Sequence, residues 1–182
     1  MFLKALRLLL FGFAVLACVL PAWSAELPAK GDTLPAFSLP APASSGDLEY
    51  LGVSGTTLTL ADVSGDLVLL EILGVYCPVC REQAPLFNAL QKRLERRELK
   101  GRVKMLGIAA GATDIEVEMI RKEWRIRHPV LVDQKFEVHK LLGEPKTPFT
   151  MLIDRQGRVL YTHHGLIQDM DAFYQQIKSL LD

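Results

Sequence analysis

From Leu67 onward the chain alternates between continuous apolar runs and segments with apolar residues three or four positions apart. Leu67 to Val75 is an almost unbroken apolar run whose one charged member is Glu71. Such a run predicts a strand buried on both faces. Between Cys80 and Arg97, Leu86, Leu90 and Leu94 recur every fourth position with Phe87 beside them, which predicts an amphipathic helix ended by Gly101. Its charged far side reads as solvated. Val103 to Ala110 is a second buried strand, and Thr113 caps a helix running to Arg125, with Asp114, Glu116 and Glu118 at the end where acids are favourable. Then follow a short strand at Val130 to Val132, a short helix at Lys135 to Leu142, strands at Phe149 to Ile153 and Val159 to Thr162 joined by an Asp154–Gly157 turn, and a last helix at Asp169 to Leu181.

The front of the chain is less regular. Glu26 to Ser45 is rich in Pro, Ala, Ser and Gly, the composition of a linker and an irregular approach, with Ala36 to Leu39 as a short extended segment. Leu48 to Val53 and Thr56 to Leu60 read as two strands of a hairpin around Ser54-Gly55, followed by one helical turn at Leu60 to Val63. The whole order predicts an α/β sandwich whose mixed sheet is parallel in its first half and antiparallel at its end, with an N-terminal β-hairpin extension. No internal repeat and no second domain fit within 182 residues.

Residues 1–25 belong to a different physical class. Lys4 and Arg7 precede thirteen uncharged residues, Leu8 to Leu20, then Pro21 and the small residues Ala22, Ser24 and Ala25. A basic head, a short apolar stretch and a small-residue exit describe a secretory signal peptide, or an N-terminal membrane anchor if it is retained. Cys18 lies within this stretch, where a lipidated cysteine is the alternative to one more apolar residue of a discarded segment. The expected organisation is therefore a leader at 1–25, a linker at 26–35 and one domain at 36–182, exported to the bacterial periplasm or the outer face of the cytoplasmic membrane.

Charge narrows the partners. Lys and Arg number 21 and so do Asp and Glu, so the chain has no global field with which to hold nucleic acid. Removing the leader takes Lys4 and Arg7 and leaves a formal charge of −2, from 19 basic against 21 acidic residues. It also leaves two of the three cysteines, and they stand three residues apart.

Cys77-Pro78-Val79-Cys80 falls at the junction of the buried strand and the long helix. With Cys77 as N-cap, Pro78 occupies the first helical position, where its missing N–H costs nothing. The Cys77 sulfur then meets unpaired backbone N–H groups and the positive end of the helix dipole, which favour the nucleophilic thiolate. Cys80, one turn on, can close a disulfide with it. Two bland readings compete. A zinc half-site needs two more ligands, but no second CxxC exists and His128, His139, His163 and His164 are scattered or adjacent. A structural disulfide gains little from closing so short a loop.

On these residues the chain resembles the thioredoxin superfamily, and more narrowly its TlpA/ResA-like exported thiol–disulfide oxidoreductases. Leu67 to Pro85 resembles the active-site segment, Gly31 to Pro40 the N-terminal segment, and Thr147-Pro148 before Phe149 to Asp154 the cis-proline loop and its strand. The helix and short strand between Thr113 and Val132 resemble the insertion of the exported subgroup. The resemblance implies a thioredoxin-like three-layer sandwich and a redox-active disulfide between Cys77 and Cys80. It also implies that Cys77 attacks a client disulfide and Cys80 releases the mixed disulfide, with Tyr76, Pro78, Val79, Thr147 and Pro148 facing the client. It further implies disulfide-containing or dithiol client proteins, a membrane thiol–disulfide electron donor, a monomeric protein and no cofactor or metal.

Glu71 lies six positions before Cys77, where thioredoxins carry a buried acid and this subgroup often has asparagine. A carboxylate in an apolar strand should be desolvated into a proton acceptor usable near neutral pH, here for the Cys80 thiol. The plainer reading gives Glu71 a polar partner such as an arginine. Two positions depart from the pattern: Tyr76 stands where many relatives have Trp, its hydroxyl expected to be wet, and Gln83, with Glu82 adjacent, stands where some relatives have glutamate. His163 and His164 are expected at the surface. Two other functions compete: a peroxiredoxin-like thiol peroxidase, disfavoured by Gly74 three residues before Cys77 and Leu70 four further back, and a copper or zinc carrier using Cys77, Cys80 and a histidine.

Overall fold

The computed structural model describes residues 26–182, so the leader and Cys18 lie outside the described residues. Its centre is a five-stranded sheet of order β5-β4-β3-β6-β7, formed by β3 (Leu67–Leu73), β4 (Val103–Ala110), β5 (Val130–Asp133), β6 (Phe149–Asp154) and β7 (Val159–His164). β3 pairs parallel with β4 and β4 with β5, whereas β6 runs antiparallel to β3 and β7 antiparallel to β6. This is the mixed sheet that the apolar runs predict. β3 lies in the middle with all seven residues buried, which explains its lack of alternation.

Helices cover both faces. Val68, Leu70 and Ile72 of β3 point to one side, into a core shared with Leu51 of α1 (Ser45–Leu51) and Val138 of α4 (Glu137–Leu141). Leu67 and Leu69 point to the other side, against Phe87, Leu90 and Leu94 of α2 (Pro78–Leu94) and Phe173 and Ile177 of α5 (Met170–Ser179). Toward the end of the sheet near the cysteines, Leu73 packs with Ala84 of α2 and with Val117 and Ile120 of α3 (Asp114–Glu123). Glu71 falls on the α2 face by the same alternation.

The N-terminal hairpin is corrected in its details. A two-stranded antiparallel sheet is present, formed by β1 (Leu39–Pro40) and β2 (Thr57–Leu58), but Leu48 to Val53 is not a strand. Leu48 to Leu51 belongs instead to α1 because local helix signals outweigh the apparent alternation of Leu48 and Tyr50. The Ser44 side chain caps the helix by accepting from the Asp47 N–H, Leu51 fills the core, and Gly52 ends the helix in the left-handed region at φ 70°. The expected helical turn after β2 is a 3-10 turn at Leu60–Asp62. Backbone pairing starts within the proline-rich approach: the Gly31 N–H donates to Val159 O at 2.8 Å, the Leu34 N–H donates to Gly157 O at 2.9 Å, and Leu34 is buried.

Candidate active site

Chain geometry alone places the two sulfurs. β3 ends at Leu73, and the Cys77 N–H donates back to Gly74 O at 3.1 Å, turning the chain into α2. Cys77 is the N-cap of α2 in extended conformation, with Pro78 in the first turn. The Cys77 Sγ accepts the Cys80 N–H at 3.2 Å and lies 3.5 Å from the Thr147 carbonyl oxygen. Both cysteines are free thiols, Cys77 half-buried and Cys80 buried. Burial first, then contact with the Cys77 sulfur, push the Cys80 thiol far above the ordinary thiol range, and the Glu71 charge adds in the same direction. The outer sulfur is accessible to a partner; the inner one releases its proton only with help.

Tyr76, Pro78 and Val79 are exposed around Cys77, while Pro148 is buried behind a cis Thr147-Pro148 bond. A groove of roughly 620 Å³ runs from Cys77, Tyr76 and Arg81 to Met119 and Trp124. Tyr76 is 79 % exposed, but its hydroxyl is not simply wet: it donates to Glu116 Oε1 at 2.6 Å. Glu116 also closes the capping box of α3, accepting from the Thr113 N–H at 2.8 Å. The Tyr76 hydroxyl and the Thr113 donors hold the Glu116 carboxyl down at about 2. His163 is half-buried, with its Nε2 3.2 Å from Leu166 O, and the exposed His164 lies against the Phe149 ring.

Glu71 sits where the sequence places it, inside the sheet and 4 % exposed. Desolvation pushes its carboxyl up to about 7, and the Gln83 amide pulls the other way. Its polar partner is this glutamine rather than an arginine: Gln83 Nε2 donates to Glu71 Oε1 at 2.7 Å. Sequence reasoning treats Gln83 as a departure from a family pattern and misses its place in the site. The signal was present, since Gln83 is four residues before Phe87 on the face of α2 that enters the core. Among the described residues no group of three or more His, Cys, Asp or Glu side chains could hold a metal ion.

A mixed sheet between helix layers, with a cysteine pair at the first turn of the helix after the central strand, defines a thioredoxin-like protein. Comparison with known proteins agrees. A profile of the AhpC/TSA family matches residues 30–162, and the chain belongs to that family. It is 31 % identical over 113 residues to a protein named thiol-disulfide oxidoreductase ResA from Bacillus thuringiensis subsp. konkukian, spanning 62 % of this chain and 63 % of that relative. A ResA of Geobacillus thermodenitrificans is 28 % identical over 82 % of this chain and 79 % of its own length. In structure the chain is similar to a Chlorobium tepidum protein assigned as thiol:disulfide interchange protein DsbE, with TM-score 0.69 and 27 % identity, covering 85 % of this chain and 99 % of that one. The StoA structure from Bacillus subtilis shares the fold at TM-score 0.57 and 18 % identity, over 81 % and 97 % of the two chains. The ResA-like resemblance of the motif segments thus extends over 82 % of the chain in the Geobacillus thermodenitrificans relative.

Proposed function

We propose that this protein is an extracytoplasmic thiol–disulfide oxidoreductase that exchanges disulfides with client proteins through Cys77 and Cys80. The observation that carries the reading is the half-buried Cys77 sulfur at the tip of α2, bonded by the Cys80 N–H and backed by the buried Cys80. In the reducing direction the Cys77 thiolate attacks one sulfur of a client disulfide. The client S–S bond breaks, its other sulfur leaves as a thiolate and takes a proton, and a Cys77–client mixed disulfide forms. Cys80 then passes its proton to the Glu71 carboxylate and attacks the Cys77 sulfur. The Cys77–Cys80 disulfide forms, the second client sulfur departs, and the client has gained the two electrons that the pair has lost.

Glu71 serves as the base because it is the buried acid whose charge the Cys80 thiol feels and its carboxyl titrates near neutral pH. Tyr76, Pro78 and Val79 form the exposed rim on which a client rests, with the Thr147 carbonyl oxygen 3.5 Å from the Cys77 sulfur and Pro148 next in the chain. A membrane-side dithiol donor returns the pair to its reduced form, and the protein works as a monomer. Its leader-like residues 1–25 support export.

The test is a redox titration in glutathione buffers, read by thiol alkylation and mass. The wild-type pair is expected to pass between dithiol and Cys77–Cys80 disulfide in a single two-electron transition, which Cys77→Ser and Cys80→Ser both abolish. A pair that never bridges overturns the reading. The same preparation is expected not to consume hydrogen peroxide catalytically. Position 74, three before Cys77, is glycine, and a Cβ there would approach Thr147 Oγ1 to 3.3 Å.

A further inference from the structure

The site holds one polar side chain that the exchange steps above do not use. Gln83 is fully buried on α2, one turn after Cys80, in the layer between helix and sheet. Its Oε1 accepts the Ile167 N–H at 3.0 Å. Its Nε2 donates to Glu71 Oε1 at 2.7 Å and lies 3.4 Å from Thr150 Oγ1. The orientation of the amide is forced chemically. A backbone N–H can only donate, so the oxygen of Gln83 must face Ile167 and the nitrogen must face the carboxyl. Thr150 is the register partner of Glu71 and lies two residues beyond Pro148, so one side chain ties the cysteine helix, the acid strand, the proline-loop strand and the segment before α5.

We propose that Gln83 is a positioning residue of the redox site: its amide, aimed by the Ile167 N–H, holds one oxygen of the Glu71 carboxyl and leaves the second to take the Cys80 proton. This deepens the exchange reading and rests on it. The physical argument concerns both geometry and charge. A buried carboxylate with no donor would stay protonated well above neutral pH and could not act as a base. A single amide donor stabilises the ionised form enough to bring deprotonation into the working range, and an arginine in its place would ionise the acid outright and weaken it as a base. The titratable group of α2 whose thiol feels the Glu71 charge is Cys80. From the strands on either side its register neighbours are Thr150 of β6 and Gly107 of β4, neither of them charged.

The experiment follows the Glu71 carboxyl directly. In the reduced full-length chain carrying ¹³C-labelled glutamate, its resonance is titrated by NMR in wild type, Gln83→Met and Gln83→Glu. In parallel, the rate of reduction of oxidised glutathione is measured against pH, with Glu71→Gln marking the rate limb that depends on the acid. Gln83→Met removes the donor at nearly constant volume. The Glu71 midpoint is expected to rise by about one pH unit, and the acid-dependent limb of the rate profile to move with it while the high-pH plateau stays. Gln83→Glu puts two carboxyls on one hydrogen bond, so a shared proton should persist to still higher pH; this variant decides the matter if Gln83→Met does not fold. An unmoved midpoint overturns the proposal, as does a rate lowered by the same factor at every pH, which is the signature of a packing role alone. A wild-type protein unable to exchange with glutathione overturns the activity reading instead, and the carboxyl titration still decides whether Gln83 controls Glu71.

Discussion

Glu71 shows how one residue couples stability to chemistry. In the fold it keeps its proton up to about pH 7, against an ordinary value near 4.5. The folded state therefore binds more protons than the unfolded one in this window. The contribution to stability is complete below about pH 4.5 and is lost as pH rises through 7. Glu71→Gln should remove that loss, so the reduced variant is expected to gain on wild type by about 3 kcal/mol between pH 4.5 and 8, read from urea midpoints. Parallel profiles would contradict it. The same substitution should slow client reduction about 10²-fold by removing the base. Sequence alone gave the burial of Glu71, because an acid in a continuous apolar run has nowhere else to go. It did not give the Gln83 partner, because that contact joins two elements twelve residues apart and depends on how α2 lies across the sheet.

At the scale of elements, packing of α1 and α3 frames the site from the side. Arg121 of α3 grips Asp47 of α1 with two bonds, 2.6 and 3.0 Å, and Asp47 is buried. Asp47→Ala should cost about 1–3 kcal/mol, toward the low end because the guanidinium retains some solvent, and circular dichroism melts should report it. If the loss loosens α3, the Tyr76–Glu116 contact at the rim of the site loosens with it. The element boundaries show what was legible. Val103 to Ala110 is read correctly to the residue, because both faces of a central strand are apolar and its ends are marked by glycine and a polar turn. The segment Leu48 to Val53 is misread because its apolar residues Leu48, Tyr50, Leu51 and Val53 fit a strand as well as a helix. The deciding signals were the Ser44 cap and the Gly52 stop, which act through backbone hydrogen bonds rather than hydrophobic pattern.

For the molecule as a whole, two buried groups pull the pH dependence in opposite directions. His128 is 1 % exposed, its two ring nitrogens have no hydrogen-bond partner among the described residues, and burial lowers it to about 3. It is neutral in the fold but takes a proton near pH 6.5 when unfolded, so its contribution holds above about 6.5 and is lost as pH falls toward 3. Between about pH 4.5 and 6.5 this slope opposes that of Glu71. Of these two groups, His128→Leu should leave only the Glu71 decline from 4.5 to 7, and Glu71→Gln only the acid limb below 6.5; flat profiles in both variants would contradict the assignment. The layered sheet was legible because it follows from the order of apolar runs and handed connections, whereas His128 appears in sequence as one scattered histidine. The proposed exchange requires Cys77 to capture a partner and Cys80 to release it. The direct measurement is trapping in living cells: with Cys80→Ser, tagged protein should be recovered bound to partner proteins through Cys77 by a bond that dithiothreitol breaks, and Cys77→Ser should recover none. Equal recovery from both variants, or none from either, would contradict it.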